Sequence, residues 1–292
     1  MKHIFILNSF GKRDPYIIRN EIFKYCVNHD LDYEIIYNKK DLSTKDIVNK
    51  YKNKDNIIYA VGGDGMINKV LNEVVDSKAY LSYIPYGTGN DLDRVLQAKE
   101  DGFIKSNVGK INDKYFINVA CFGADADISN DDRFIHNTYI LRSQRYNASA
   151  LYHFITFKPK ELEVTFNNKT IKDEFSTIAV CNSKYYGAGY MIAPNALIDD
   201  DLFDVYLVNK LNRVLLAKTI LDMKKGRHES DFGVNKYLLD NLIIKSKEPI
   251  KANIDGEILE SDEFNISLLS DIKIYNNQDL IKKVLKNEVN PI

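Results

Sequence analysis

The sequence predicts an α/β domain followed by a mainly antiparallel β-domain. Three observations carry this expectation. Short apolar runs alternate with helical spacing through the first ninety residues. After about Asp101, strand-like runs follow one another with only two helical interruptions. The chain has 292 residues and is 45% apolar, which suits two ordinary domains or one large α/β unit with a sizeable packed core.

The elements follow in order. Ile4–Leu7 reads as a first buried strand, and Pro15–Val27 as a helix with Ile18, Ile22 and Cys26 on one face. Tyr33–Tyr37 is a strand, and Ser43 is placed to cap a helix that runs through Tyr51. Ile57–Val61 is an apolar run that ends in Gly62 and Gly63. Met66–Val75 has helical spacing, with Ile67, Val70 and Val74 in register, and Tyr80–Ile84 is a fourth strand. Such a βαβα order implies a parallel sheet covered by helices, with ligands beyond the carboxyl ends of the strands. Further on, Lys114–Ala120, Glu161–Phe166, Ser176–Cys181, Phe203–Val208, Leu242–Ile244, Lys251–Ile254 and Phe264–Leu269 read as strands. Asn167-Asn168-Lys169 reads as a hairpin turn between Val164 and Ile171. The helical interruptions are Asp132 to about Phe157 and Arg213–Lys225, and Gln278–Val289 has a weak helical pattern. The expected domains are 1–108 and 109–274, with residues 275–292 packing back on the first.

Composition excludes several classes. Forty Lys and Arg against forty-one Asp and Glu leave no basic field for a dedicated nucleic-acid binder. Three scattered cysteines, Cys26, Cys121 and Cys181, match neither a disulfide framework nor a zinc site and fit a reducing cytosol. No stretch approaches 18 apolar residues, and the four-residue run near the start is too short for a signal peptide. A membrane substrate would be met from the cytosolic surface.

Two glycine-rich loops carry the chemistry. Gly62-Gly63-Asp64-Gly65 runs from a strand into a helix. Its glycines let the backbone turn sharply beside a bulky anion, and the helix N-terminus offers free N–H groups. Pro85-Tyr86-Gly87-Thr88-Gly89-Asn90-Asp91 ends the next strand, with a hydroxyl between glycines and Asn90 or Asp91 placed to cap a helix. Either loop alone also reads as a plain capped turn. Two at neighbouring strand ends face one crevice.

These loops, with Asn68, resemble the diacylglycerol kinase catalytic domain family, soluble bacterial lipid kinases related to sphingosine and ceramide kinases. Phe116-Ile117-Asn118, Gly123-Ala124-Asp125-Ala126, Tyr146 with Ala150-Leu151, Gly187-Ala188-Gly189, Ala193-Pro194-Asn195-Ala196, Asp200-Asp201-Leu202-Phe203-Asp204 and Asp255-Gly256-Glu257 follow in the family's order. The likeness runs from about Phe5 to Ile274. It implies a nucleotide domain like those of NAD kinases and phosphofructokinases, a C-terminal β-sandwich, and an active site between them. Gly62, Gly63, Asp64, Gly65, Met66, Ile67 and Asn68 would bind ATP phosphates. Thr44, Gly87, Thr88, Asn90 and Asp91 would complete the nucleotide site. Asp200, with the Leu197 and Leu202 carbonyls, would hold a structural Mg2+.

Asp255 and Glu257 stand two apart. On a strand they would share a face, with Asp255 as the base for a lipid hydroxyl and Glu257 supporting it or a metal. The other reading is a turn, since Asp-Gly is a strong turn pair. Lys218, Lys224, Lys225, Arg227 and His228 form a basic cluster suited either to anionic headgroups or to a solvated helix end.

Several positions depart from the family. The early Asn-Pro signature is only Asn8-Ser9, Met66 replaces Thr, Lys69 replaces Glu, and Asp201 replaces Gly. The expected activity is an ATP- and Mg2+-dependent lipid kinase, with diacylglycerol the default substrate. It would be cytoplasmic and peripheral to the inner membrane face, and a homodimer is compatible with it. The rivals are an NAD kinase, whose Thr-Pro-Thr-Gly-Ser stretch is absent, and a degenerate member that binds nucleotide or lipid without turnover.

Overall fold

Residues 1–10, 14–123 and 158–286 are described by a computed structural model. The expected helical segment 132–157, Gly11-Lys12-Arg13, Ala124-Asp125-Ala126, Tyr146 and Ala150-Leu151 lie outside them. Element labels run in chain order over the described residues. The chain forms two units. One comprises Met1–Val108, Gly187–Gly189 and Ser270–Ile292, and the other Gly109–Tyr186 and Tyr190–Leu269.

The first unit is built on a parallel sheet. Strand β1 (His3–Leu7) lies between β2 (Tyr33–Tyr37) and β3 (Ile57–Gly62), with Phe5 opposite both Ile35 and Tyr59. Strand β4 (Tyr80–Pro85) continues from β3 with Ala60 opposite Tyr83. Residues 270–276 add a further parallel strand, Ile274 opposite Leu81. β1 and β3 are buried along their whole length, as a sheet covered on both faces requires.

Helix α1 (Pro15–Asn28) starts where its sequence says it should. Asp14 accepts from the Tyr16 amide and Pro15 supplies a preset φ in the first turn. Its Ile18, Ile22 and Cys26 pack on Phe5, Leu7 and Tyr59. Helix α2 (Thr44–Tyr51) opens with the expected Ser43 cap, reinforced by a reciprocal bond from the Ser43 amide to Asp46. Helices α3 (Asp64–Val74) and α4 (Asp91–Leu96) each follow a glycine-rich loop.

The second unit is antiparallel throughout. In chain order it holds the end of β5 (Gly102–Ile111), β6 (Lys114–Phe116), β7 (Val119–Gly123), β8 (Lys160–Phe166), β9 (Lys169–Cys181), β10 (Phe203–Asn209), β11 (Val234–Leu239), β12 (Asn241–Ile254) and residues 257–269 of β13 (Glu257–Asn276). Its main sheet runs β11-β10-β9-β7-β12-β13, and β8 pairs with both β9 and β12. Phe116, Phe122, Phe175, Phe203 and Phe264 fill one core with Val, Leu and Ile side chains from these strands. Helix α5 (Arg213–Met223) buries Leu216 against Val208 and Leu211.

Four differences from the sequence reading have physical causes. The run Lys114–Ala120 is two strands, because the amides of Ile117, Asn118 and Val119 turn to the Asp255 carboxylate. The expected strands 242–244 and 251–254 are one long β12 with a register shift between Lys245 and Ile250. β5 and β11 were not expected. β5 buries Ser106 and Asn107, so its pattern is not apolar, and β11 alternates only weakly. The hairpin after β8 turns on Asn167 and Asn168 alone, both at positive φ, with Val164 opposite Ile171.

Candidate active site

The two glycine loops of the first unit touch backbone to backbone. A methyl placed on Gly87 would lie 2.3 Å from the Gly63 Cα and 2.8 Å from the Gly63 nitrogen. Only glycine at position 87 permits this approach, while a methyl on Gly63 would sit tightly, 3.2 Å from the Gly87 Cα. The Tyr86 amide donates to the Gly62 carbonyl at 2.9 Å, which carries the β3–β4 ladder into the loops. Asn90, at φ 55°, folds its side chain back over Gly87, accepting from the Gly87 amide and donating to the Gly87 carbonyl.

Because Asn90 is used in this way, it does not cap α4 with its side chain. Asp64 does so from the other loop. Its Oδ1 accepts from the amides of Asp91 at 2.8 Å and Leu92 at 3.4 Å. Asp91 is in turn held by the Ala188 amide, which donates to its Oδ2 at 2.9 Å. Its Oδ1 is buried without a hydrogen bond, with Arg94 Nε 3.6 Å away. Burial pushes the pKa of both Asp64 and Asp91 up, and the charge of Asp64 adds to the rise at Asp91. Asp93, one step further along α4, is raised by burial too. Acidic groups with spare oxygens therefore gather at an excess of negative charge. Gly63, which has no side chain, occupies the N-cap of α3, so no side-chain oxygen covers that helix end. Anions suit the helix end, and cations suit the carboxylates.

The structure places the other expected nucleotide residues around this point. Thr44 is buried at the start of α2, and its hydroxyl donates to the Met66 sulfur at 3.7 Å. Asn38 donates to the same hydroxyl at 3.3 Å and accepts from the Ser9 amide. Met66 thus turns its side chain inward to Thr44. Asn68 and Ile67 are buried, whereas Gly65 and Thr88 are exposed and Lys69 projects to solvent. Asn38 belongs to this constellation and carried no sequence signal, whereas Ala188 stands in the Gly187-Ala188-Gly189 motif, which did not specify its contact with Asp91. They act through an amide side chain and a backbone N–H, over separations of 29 and 97 residues.

The second unit holds the remaining expected residues. Asp255 and Gly256 form a two-residue hairpin turn, at φ 49° and 93°, closed by the pair Ile254–Glu257. The strand reading of this motif is therefore corrected, since Asp255 stands in the turn and Glu257 begins β13. The Asp255 carboxylate is buried and accepts from the amides of Ile117 at 2.7 Å, Asn118 at 3.1 Å and Val119 at 2.9 Å. Asn182 Nδ2 donates to the Ile117 carbonyl, and Ser183 Oγ to Asn118 Oδ1, so three separated motifs form one hydrogen-bonded corner. Glu257 is half-buried.

The acidic run is also in the second unit. Asp200 Oδ1 accepts from the Leu202 amide at 3.2 Å, while the Leu197 side chain is half-exposed. Burial and the charges of Asp204 and Asp199 raise the Asp200 pKa. Asp204 is paired with Lys236 at 2.5 Å. Among the described residues no three His, Cys, Asp or Glu side chains gather in metal-binding geometry. Mg2+ needs fewer, since it is commonly held by one or two carboxylates with phosphates and water. Asp64 and Asp91 supply two carboxylates beside the loops, and Asp200 supplies one in the acidic run.

A parallel α/β domain with two apposed glycine loops and paired carboxylates, combined with an antiparallel β-domain, defines a class of phosphate-transferring enzyme. The comparisons agree. Residues 2–120 match the family described as the diacylglycerol kinase catalytic domain, and residues 118–269 match the YegS C-terminal NAD kinase beta sandwich-like domain. A Bacillus subtilis protein named diacylglycerol kinase is 26% identical over 215 residues, covering 69% of this chain and 71% of that one. A Shewanella frigidimarina protein named "Probable lipid kinase YegS-like" is 27% identical over 226 residues, covering 71% and 72%. A solved diacylglycerol kinase from Bacillus anthracis shares the fold at a TM-score of 0.69 and 18% identity, covering 96% and 97%.

The chain belongs to the diacylglycerol kinase family. It is a lipid kinase, a diacylglycerol kinase-like phosphotransferase. Among the described residues no helix is long and apolar enough to cross a membrane.

Proposed function

We propose that the protein transfers the γ-phosphate of ATP to the hydroxyl of diacylglycerol at the cytosolic face of a membrane, with Mg2+ on the phosphates. The observation that carries this reading is the pair Asp64–Asp91, held across two touching glycine loops beside the uncapped start of α3. The backbone from Gly62 to Gly65, with the first amides of α3, binds the phosphates. Met66, Ile67 and Asn68 support that turn from inside, and Thr44 fixes Met66. Thr88 contacts the nucleotide, while Asn90 keeps its loop closed over Gly87. Asp64 and Asp91 would hold Mg2+, which would supply positive charge against the phosphate oxygens. Asp200 and the Leu197 and Leu202 carbonyls hold a second, structural Mg2+.

Two readings of Asp255 stand. As a base it accepts the proton of the lipid hydroxyl, with Glu257 in support. The three amides donating to its carboxylate favour a second role, as the staple of segment 117–119.

A phosphotransfer assay with labelled ATP against lipids in mixed micelles tests the proposal. Label should reach diacylglycerol and require Mg2+. Label on NAD instead of lipid would support the NAD kinase alternative. Bound ATP without transfer to any acceptor would mark a degenerate member.

A further inference from the structure

We infer that the outer face of α5, with the loop that follows it, is the surface by which this chain docks on an anionic phospholipid bilayer. The inner side of α5 is spoken for, with Leu216 and Thr219 buried. Its outer side carries Val214, with Lys218 and Leu221 four and seven residues further on, which is one stripe of a helix, and Lys225 follows in the turn after it. Val214 is 79% exposed and Leu221 66%. An amphipathic helix that only covered its own β-domain would place polar groups there.

A third apolar side chain is brought to this stripe by an ion pair. Lys218, between Val214 and Leu221, is bonded to Asp222 and to Asp231. Asp231 adjoins Phe232, which is 77% exposed. Lys218 therefore ties the Phe232 loop to the helix face between its two apolar residues.

Charge identifies the occupant. Residues 213–232 contain five Lys and Arg against three Asp and Glu, in a chain of net charge −1. The carboxylates are all engaged: Asp222 and Asp231 by Lys218, and Glu229 by Lys236, Tyr206 and Asn195. Lys224, Lys225 and Arg227 form no salt bridge among the described residues; Lys224 lies over the Tyr190 ring at 5.7 Å, and Lys225 and Arg227 act on Asp222 only at longer range. Separate apolar side chains among cations outside salt bridges suit a surface with anionic headgroups above an apolar layer. This inference rests on the lipid-kinase reading for its purpose, not for its observations.

The test is co-sedimentation of the full chain with vesicles of phosphatidylcholine, with and without phosphatidylglycerol, at low and high salt. Native protein should bind the anionic vesicles and be released by salt. Lys224→Ala/Lys225→Ala/Arg227→Ala should lower partitioning roughly 100-fold, since each cation contributes about fivefold. Leu221→Asn/Phe232→Asn should lower it at least about tenfold through lost insertion. Both variants should keep the native melting temperature and native turnover on a short-chain, water-dispersed diacylglycerol. Failure of native protein to bind anionic vesicles, or native-like binding by both variants, overturns the inference. So does loss of self-association in Leu221→Asn/Phe232→Asn with vesicle binding intact, which would make this face a contact between copies. Vesicle binding without turnover on the short-chain lipid would refute the substrate reading and leave the docking surface standing.

Discussion

Gly87→Ala tests whether the two glycine loops act as one rigid unit. The new methyl would sit 2.3 Å from the Gly63 Cα, where even a tight contact needs more than 3.0 Å. The obstacle is backbone, so no side-chain rotation relieves it, and the loops must part by about 1 Å. Overpacking of this kind costs roughly 1–3 kcal/mol. Parting the loops also stretches the 2.8 Å bond from Asp64 to the Asp91 amide, which caps α4. Loss of a cap adds about 1 kcal/mol, for a total near 2–4 kcal/mol. At roughly 2–4 °C per kcal/mol the melting temperature should fall by about 5–15 °C. Calorimetric melting gives this figure, and titration with ATP and Mg2+ should show weakened nucleotide binding in the same variant. A melting temperature within about 2 °C of native, with unchanged nucleotide affinity, would refute the claim that loop contact sets the site.

Gly65→Ala is the counterpart. A methyl there meets nothing within 4 Å, so helix propensity should raise stability by up to about 1 kcal/mol. The same methyl enters the space assigned to phosphate, and calorimetry should record a weaker ATP complex despite the higher melting temperature. Asp255→Asn presents an NH2 group to amides that are themselves donors. As a staple it should lose about 1–3 kcal/mol of stability, whereas a base alone would lose turnover with its melting unchanged. His228 is fully buried beside Tyr206, and burial lowers its pKa against the opposing pull of Glu229. Its native ring is neutral, so the unfolded chain takes a proton first. Stability should hold above about pH 6.5 and fall below it, by at most about 1.4 kcal/mol per pH unit. Melting of His228→Gln should lack this acid limb.

The glycine loops, the Ser43 cap and the Asn-Asn hairpin were readable because each is a short contiguous signal. Gly62 and Gly87 leave out side chains that would collide with Met66 and Gly63. The partners of those loops were not readable. Asp64 looks like the cap of its own helix and instead caps α4, 27 residues on. Met66 looks like a missing hydroxyl beside the phosphates, yet its sulfur faces Thr44. The Asp255–Gly256 turn is a local signal, but its three amide donors come from residues 117–119 and could not be foreseen. β5 escaped notice because its buried Ser106 and Asn107 break the apolar pattern.

The first unit takes its sheet edge and its last helix from residues that follow the whole β-domain in sequence. Ile274 pairs with Leu81, and Asn276 Nδ2 donates to the carbonyls of Leu96, Lys99 and Glu100. Asp101 then accepts from the first amides of α6 (Gln278–Leu285), and Tyr25 of α1 bonds to Asp279. On the ribosome these residues emerge after the β-domain has left the tunnel. The nucleotide half must wait with the edge of β4 unpaired and part of the α1 face bare, so the β-domain can finish folding before it. A message cut short before codon 270 would yield a chain with an open strand edge. Such an edge is a ready template for pairing with other chains and for aggregation.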